Sequence, residues 1–131
     1  MKYADILARI LVGLVFTVFG LNGLMLGLLG KGFIPMPPMP PSDGTTFVTI
    51  LLSSHWVVVV DLCEFVGGLL LLSGQFVPLG LTLLSPVLVN ILCYHLLLEP
   101  DNLPMAVVLC ALDGFLISRR WDAFRGLVQR K

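Results

Sequence analysis

Charge is scarce in this sequence. Lys, Arg, Asp and Glu make up 12% of its 131 residues, against about 25% in a typical soluble domain. The eight basic and eight acidic residues cancel, so there is no surplus of positive charge with which to bind nucleic acid. Hydrophobic residues make up 57% of the chain, and the mean hydropathy is +0.99. A chain this short cannot bury so much apolar surface away from water by folding alone. The composition therefore predicts that the chain lies in a lipid bilayer.

The sequence also lacks the motifs of the common enzyme classes. No phosphate-binding loop, dinucleotide fingerprint or Ser/His/Asp order is present. Cys63, Cys93 and Cys110 each lie in an apolar run, without the CxxC spacing of a redox pair or a zinc site, and we interpret them as small buried hydrophobic residues. His55 and His95 lie in different segments, and no histidine pair has i, i+4 spacing. We therefore expect no metal site.

Four apolar segments are long enough to cross a membrane. A helix rises about 1.5 Å per residue, so about 20 residues cover a hydrocarbon core of about 30 Å. The predicted spans are residues 6–29, 56–73, 78–98 and 103–118, and the last of these is the shortest. The sequence therefore predicts one all-α domain, an integral membrane bundle of four helices.

The connection between the first two spans, residues 30–55, differs from the others. Five prolines occur within residues 35–41, and proline excludes both a helix interior and a central strand. We expect an extended, proline-rich outer loop here. The polar residues 42–46 can cap a helix, so the apolar run from Phe47 to Ser53 predicts a short interfacial helix.

Basic residues near the ends of the spans indicate the orientation. Cytoplasmic segments of membrane proteins are enriched in Lys and Arg. Lys2 and Arg9 lie in or beside the first span, whereas Glu99 and Asp101 follow the third. Five of the eight basic residues fall in the last thirteen positions, namely Arg119, Arg120, Arg125, Arg130 and Lys131. We predict that both termini are cytoplasmic, with residues 119–131 as a cytoplasmic tail and Lys31 as the one basic residue on the opposite side.

Several ionisable side chains lie within the predicted spans. Each costs about 2.5–3.5 kcal/mol to insert and needs a partner. Residue counts along the spans place Arg9, Glu64 and Asp113 toward the cytoplasmic side, and a guanidinium group binds carboxylates well. We therefore expect a buried ion-pair cluster of these three residues. Arg9 is a single positive charge against the three carboxyl groups of Asp61, Glu64 and Asp113. We therefore expect one or more of these groups to carry a proton, to be hydrated in a water-filled pocket or to hold a cation.

A second polar group is predicted nearer the opposite side of the membrane. Asp61 lies one helical turn from Glu64 on the same helix face, and Asn90 in the third span lies at a similar depth. We predict that a ligand pocket opens beneath the proline-rich segment 33–41 and comprises Asp61, Asn90, His95, Asn22 and His55. The alternative is that these side chains only hold the helices together, as polar groups in membranes often do.

The pattern as a whole resembles the DoxX family of small bacterial membrane proteins. The resemblance rests on five segments in order, followed by His95: ARILVGL (8–14), FGLNG (19–23), FIP (33–35), EFVGGLLLL (64–72) and PVLVNIL (86–92). The chain departs from the family at Gly23, where a lysine is common. The resemblance implies a multi-pass protein of the bacterial cytoplasmic (inner) membrane.

The resemblance also implies a role in membrane redox chemistry. Some DoxX proteins are subunits of thiosulfate:quinone oxidoreductase, and others look like membrane partners of redox enzymes. We therefore expect a quinone- or lipid-binding accessory subunit with a redox-enzyme partner, with quinone as the implied cofactor. The alternative is a non-catalytic structural or interaction protein that forms a homo-oligomer through its glycine faces. A small transporter is a weaker alternative, because the chain shows no internal repeat.

Overall fold

Helices account for most of residues 2–130, the part of the chain that the computed structural model describes. Four segments within it are long and apolar enough to cross a membrane: Lys2–Leu29, Trp56–Ser73, Val77–Leu97 and Pro100–Ser118. The helices are α1 (Lys2–Leu29), α2 (Asp43–Ser53), α3 (Trp56–Ser73), α4 (Val77–Leu97), α5 (Leu103–Ser118) and α6 (Trp121–Phe124), with 3-10 turns at Pro100–Asn102 and Arg125–Leu127. The predicted all-α membrane bundle is confirmed, and the chain is a multi-pass membrane protein.

The bundle places its long helices in the order α1, α3, α4, α5, and α5 packs back on α1. Its core is apolar, with Val12, Leu71, Leu81 and Leu116 fully buried. Large apolar side chains also cover the outside of the bundle, where about half of the Leu79 side chain is exposed. Such a surface would drive a water-soluble protein to associate, but in a membrane it is the surface that contacts lipid.

Glycines allow α1 and α3 to pack closely. A Cβ atom added to Gly20 would lie 2.6 Å from the backbone nitrogen of Phe65, and one added to Gly68 would lie 2.6 Å from that of Thr17. Small residues allow such close backbone approach between membrane helices. The glycine face of the first span therefore packs against α3 within the chain. Gly114 on α5 differs, because nothing lies within 4 Å of a Cβ added there.

The connection between α1 and α3 has an irregular part and a helical part. The proline-rich segment has no regular secondary structure, and it is held to α1 because the Ile34 N–H donates to Asn22 Oδ1 at 2.8 Å. The Ser42 hydroxyl then accepts from the Thr45 N–H at 3.1 Å and caps α2, as Ser often does. The interfacial helix predicted from Phe47 thus begins four residues earlier, at Asp43.

An ion pair joins the start of α1 to the segment that follows α5. The Arg120 guanidinium donates to both carboxylate oxygens of Asp5, at 2.7 and 2.9 Å. About a fifth of each side chain is exposed, so the pair is only partly screened by water. Bidentate pairs between arginine and a carboxylate are stronger than hydrogen bonds between neutral groups. This pair holds the segment after α5 against the first turn of α1.

Candidate functional site: a cavity beneath α2

A cavity of about 410 Å³ lies between α2, α3 and α4, and we call it the α2 cavity. Its walls are mostly apolar, with side chains from all three helices, including Phe47, Trp56 and Val87. Small-molecule sites typically combine such walls with a few convergent polar groups. The polar side chains lining this cavity are Asp61, Glu64, Asn90, Tyr94 and His95. The structure thus brings Asp61, Asn90 and His95, three of the predicted pocket residues, to one site.

Helix α2 covers this cavity, and the proline-rich segment does not. Phe47, Val48 and Leu51 of α2 line it, and the Phe47 ring lies 5.7 Å from the Tyr94 ring, centroid to centroid. Gly44 allows the start of α2 to lie close to α4, because an added Cβ would meet the Tyr94 hydroxyl at 3.1 Å. The predicted roof of residues 33–41 is therefore wrong. A helix satisfies its own backbone polar groups at the membrane interface, which an irregular proline-rich segment cannot do.

Asp61 lies at the interface between α3 and α1. Only 7% of the residue is exposed, and its carboxyl group occupies the space that a side chain at position 23 would fill, since a Cβ on Gly23 would overlap it. The buried Oδ2 atom has no hydrogen-bond partner. A buried polar atom without a hydrogen-bond partner destabilises the fold by about 1–3 kcal/mol. A ligand that donates a hydrogen bond to Asp61 would therefore remove this cost.

Glu64 lies one turn further along α3, also facing α1 and the cavity. It is 8% exposed, and a Cβ on Gly20 would lie 3.0 Å from its Cβ. The ion pairs found within residues 2–130 join Asp5 to Arg120 and Asp122 to Arg125, so neither Asp61 nor Glu64 is paired with a cation there. The cavity therefore has two adjacent buried carboxyl groups at one wall.

Asn90 and His95 contribute groups with free hydrogen-bonding capacity. The Asn90 amide Nδ2 donates to the Pro86 carbonyl on its own helix at 2.9 Å, which leaves its Oδ1 as an acceptor. His95 Nδ1 lies 2.8 Å from the Glu99 carbonyl oxygen. Because a carbonyl only accepts, Nδ1 is the donor, and Nε2 is the ring nitrogen left for another partner.

The predicted ion-pair cluster of Arg9, Glu64 and Asp113 does not form. The Arg9 guanidinium donates to the Leu71 carbonyl at 2.7 Å and lies beside Gly74. Asp113 instead accepts from the Ser85 hydroxyl at 2.8 Å. The prediction of this cluster was wrong because α1 is shifted along α3 relative to the register that residue counting gave. Glu64 is opposite Gly20, eleven residues along α1 from Arg9, which is about 16 Å by helix rise.

Two residues assigned to the pocket lie outside the cavity. Asn22 is engaged with the Ile34 N–H, so it holds the loop and not a ligand. His55 is exposed in the turn before α3, with a left-handed backbone (φ 60°). Within residues 2–130, no three His, Cys, Asp or Glu side chains are grouped so that they could hold a metal ion.

Two side-chain pairs between helices were not predicted from the sequence: Arg120 with Asp5, and Ser85 with Asp113. Asp5 is an acidic residue in a first helical turn, at the end of the bundle where the basic tail begins, and that was an available signal. Ser85 carried no signal, because a serine in an apolar helix commonly bonds back to its own backbone. Ser85 does so as well, at the Leu81 carbonyl.

The fold and this site define a class of protein: a multi-pass membrane protein with a small-molecule-sized cavity between helices. Comparison with family models, with curated proteins and with solved structures gives no match to this chain.

Proposed function

We propose that this chain is an accessory membrane subunit that binds an amphiphile dissolved in the membrane, a quinone or a lipid, in the α2 cavity. The observation that carries the proposal is the convergence of Asp61, Asn90 and His95 on one largely apolar cavity. Its volume of about 410 Å³ falls within the range of ligand sites, about 300–1,000 Å³. The apolar walls suit a hydrocarbon portion, and the polar groups suit a head group.

The polar groups offer several ways to hold a head group. Asn90 presents an acceptor through Oδ1, His95 presents Nε2, and a carboxyl group donates when protonated and accepts when ionised. A quinone carbonyl needs a donor, whereas a lipid head group offers donors and charges. The redox part of the proposal rests on the resemblance to DoxX proteins, some of which are subunits of thiosulfate:quinone oxidoreductase.

Ligand retention and ligand-induced stabilisation test this proposal. Mass spectrometry of small molecules retained after gentle detergent purification should detect a quinone or one enriched lipid. A soluble quinone analogue should raise the melting temperature of the wild type, because a ligand that binds only the folded state stabilises it. Asn90→Leu should retain less ligand and show a smaller shift. Val89→Leu is the matched control, because Val89 is 59% exposed and does not line the cavity.

The alternative, an interaction protein without a ligand, gives the opposite results. Only the general phospholipid mixture of the host membrane would be retained, in equal amounts by the wild type and by Asn90→Leu. No quinone analogue or lipid would raise the melting temperature of one variant more than the other. Such a result would reject the cavity as a ligand site and leave the open face of α5 around Gly114 as the surface to examine.

A further inference from the structure

We infer that the head group that binds in the α2 cavity is a cation, an alkylammonium group. This inference rests on the proposed function, because it takes the cavity as the amphiphile site, and it selects the ammonium lipid or amphiphile over the neutral quinone. Three observations carry it: the buried carboxyl groups, the missing counter-charge and the aromatic side chains.

The carboxyl groups form one wall of the cavity. Asp61 and Glu64 are each more than nine-tenths buried, both line the cavity, and they are one turn apart on the same face of α3. Asp61 Oδ2 has no hydrogen-bond partner. Two carboxyl groups in an apolar wall present more acceptor capacity than the protein itself uses.

No lysine or arginine lines this cavity among the described residues. Helix α1 packs against Asp61 and Glu64, and its Arg9 donates to the Leu71 carbonyl near the other end of α3. The Nδ1–H of His95 donates to the Glu99 carbonyl on its own side of the cavity, and no ion pair joins a cation to Asp61 or Glu64 among residues 2–130. A cation from outside the chain would therefore supply the missing charge, and opposite charges attract strongly away from water.

Aromatic side chains from all three helices line the same cavity. Phe47 of α2, Trp56 of α3 and Tyr94 of α4 all line the cavity. Aromatic faces attract cations, and aromatic cages are a common way of recognising quaternary ammonium groups. Two carboxyl groups and three aromatic rings around one cavity form a site suited to an ammonium head group, with apolar walls left for its hydrocarbon chain.

Isothermal titration of the purified chain in maltoside micelles tests the inference. Decyltrimethylammonium is the cationic probe, and 1-decanol, which has the same chain and no charge, is the matched neutral ligand. The wild type should bind the cation and not the alcohol.

The double variant Asp61→Asn with Glu64→Gln should bind the cation about 10- to 100-fold more weakly, because charge-assisted contacts are lost. Asp113→Asn is the control, a buried acid outside the cavity, and should bind like the wild type. If the double variant does not fold, Glu64→Gln alone gives the comparison.

Competition distinguishes the two natural sources of the head group. Displacement by phosphatidylethanolamine but not by phosphatidylglycerol assigns the site to an aminophospholipid, and displacement by neither assigns it to a smaller ammonium amphiphile. Equal binding of decanol and the cation, or undiminished binding in the neutralised variants, overturns the inference. If a quinone analogue binds in place of the cation, the proposed function stands and this inference fails. If none of these probes binds, both fail.

Discussion

The contact between α1 and α3 gives the sharpest prediction about the fold. In Gly20→Ala, the new Cβ would lie 2.6 Å from the Phe65 backbone nitrogen and 3.0 Å from the Asp61 carbonyl oxygen. Backbone atoms cannot rotate out of the way as a flexible side chain can. The two helices must therefore move apart along the contact that also positions Asp61 and Glu64.

The magnitude follows from two opposing effects. Overpacking of this kind typically costs about 1–3 kcal/mol, whereas replacing glycine by alanine within a helix favours folding by up to about 1 kcal/mol. Gly114→Ala isolates the second effect, because nothing lies within 4 Å of a Cβ there. Relative to Gly114→Ala, we expect Gly20→Ala to lower the free energy of unfolding by about 1–3 kcal/mol.

Reversible unfolding of both variants in the same mixed micelles, followed by circular dichroism, provides the measurement. Gly20→Ala should also weaken ligand binding to the α2 cavity, since Glu64 moves with the displaced helix. The reasoning is refuted if Gly20→Ala is as stable as Gly114→Ala, because the helices would then not be as close as the structure places them.

Three further predictions concern two polar contacts of the bundle and its orientation in the membrane. A double-mutant cycle between Arg120→Ala and Asp5→Ala should give a coupling of about 1–3 kcal/mol, because a partly buried, bidentate pair is broken; additive effects of the two changes would contradict this. Arg9→Met should cost about 1.5–3 kcal/mol, the value of one hydrogen bond from a charged group; a loss of about 5 kcal/mol, the upper end for a broken buried ion pair, would restore the rejected cluster. A membrane-impermeant thiol reagent should label a cysteine introduced at Asp43 in intact cells but not one introduced at Gln129, in a background without native cysteines; the reverse pattern would invert the predicted topology.

The helices were largely predictable from the sequence because each is marked by strong local signals. Helix α3 occupies residues 56–73, as predicted, since an apolar run is bounded there by a His55 turn and by Gly74. Helix α1 begins at Lys2, four residues before the predicted start. Polar residues at a membrane interface can continue a helix, so hydropathy alone does not mark its end.

The polar contacts were harder to predict because they depend on how far one helix is shifted along its neighbour. Counting residues from the predicted start of each span placed Arg9 level with Asp113 and near Glu64. The actual shift is set by glycines, which place Asp61 against Gly23 and Glu64 against Gly20. By contrast, the short turn between α3 and α4 was enough to bring Asp61 and Asn90 to the same cavity, so this placement followed from residue count.

Photoaffinity labelling tests the central claim, that the α2 cavity is the ligand site, most directly. A decylammonium probe with a diazirine on its alkyl chain would be mixed with the purified protein in micelles and irradiated. The modified residues would then be mapped by mass spectrometry. The account predicts labelling of cavity residues such as Leu51, Val57 and Ile91, suppressed by excess decyltrimethylammonium. Labelling confined to lipid-facing residues such as Leu69 and Met105, unaffected by competitor, would contradict it.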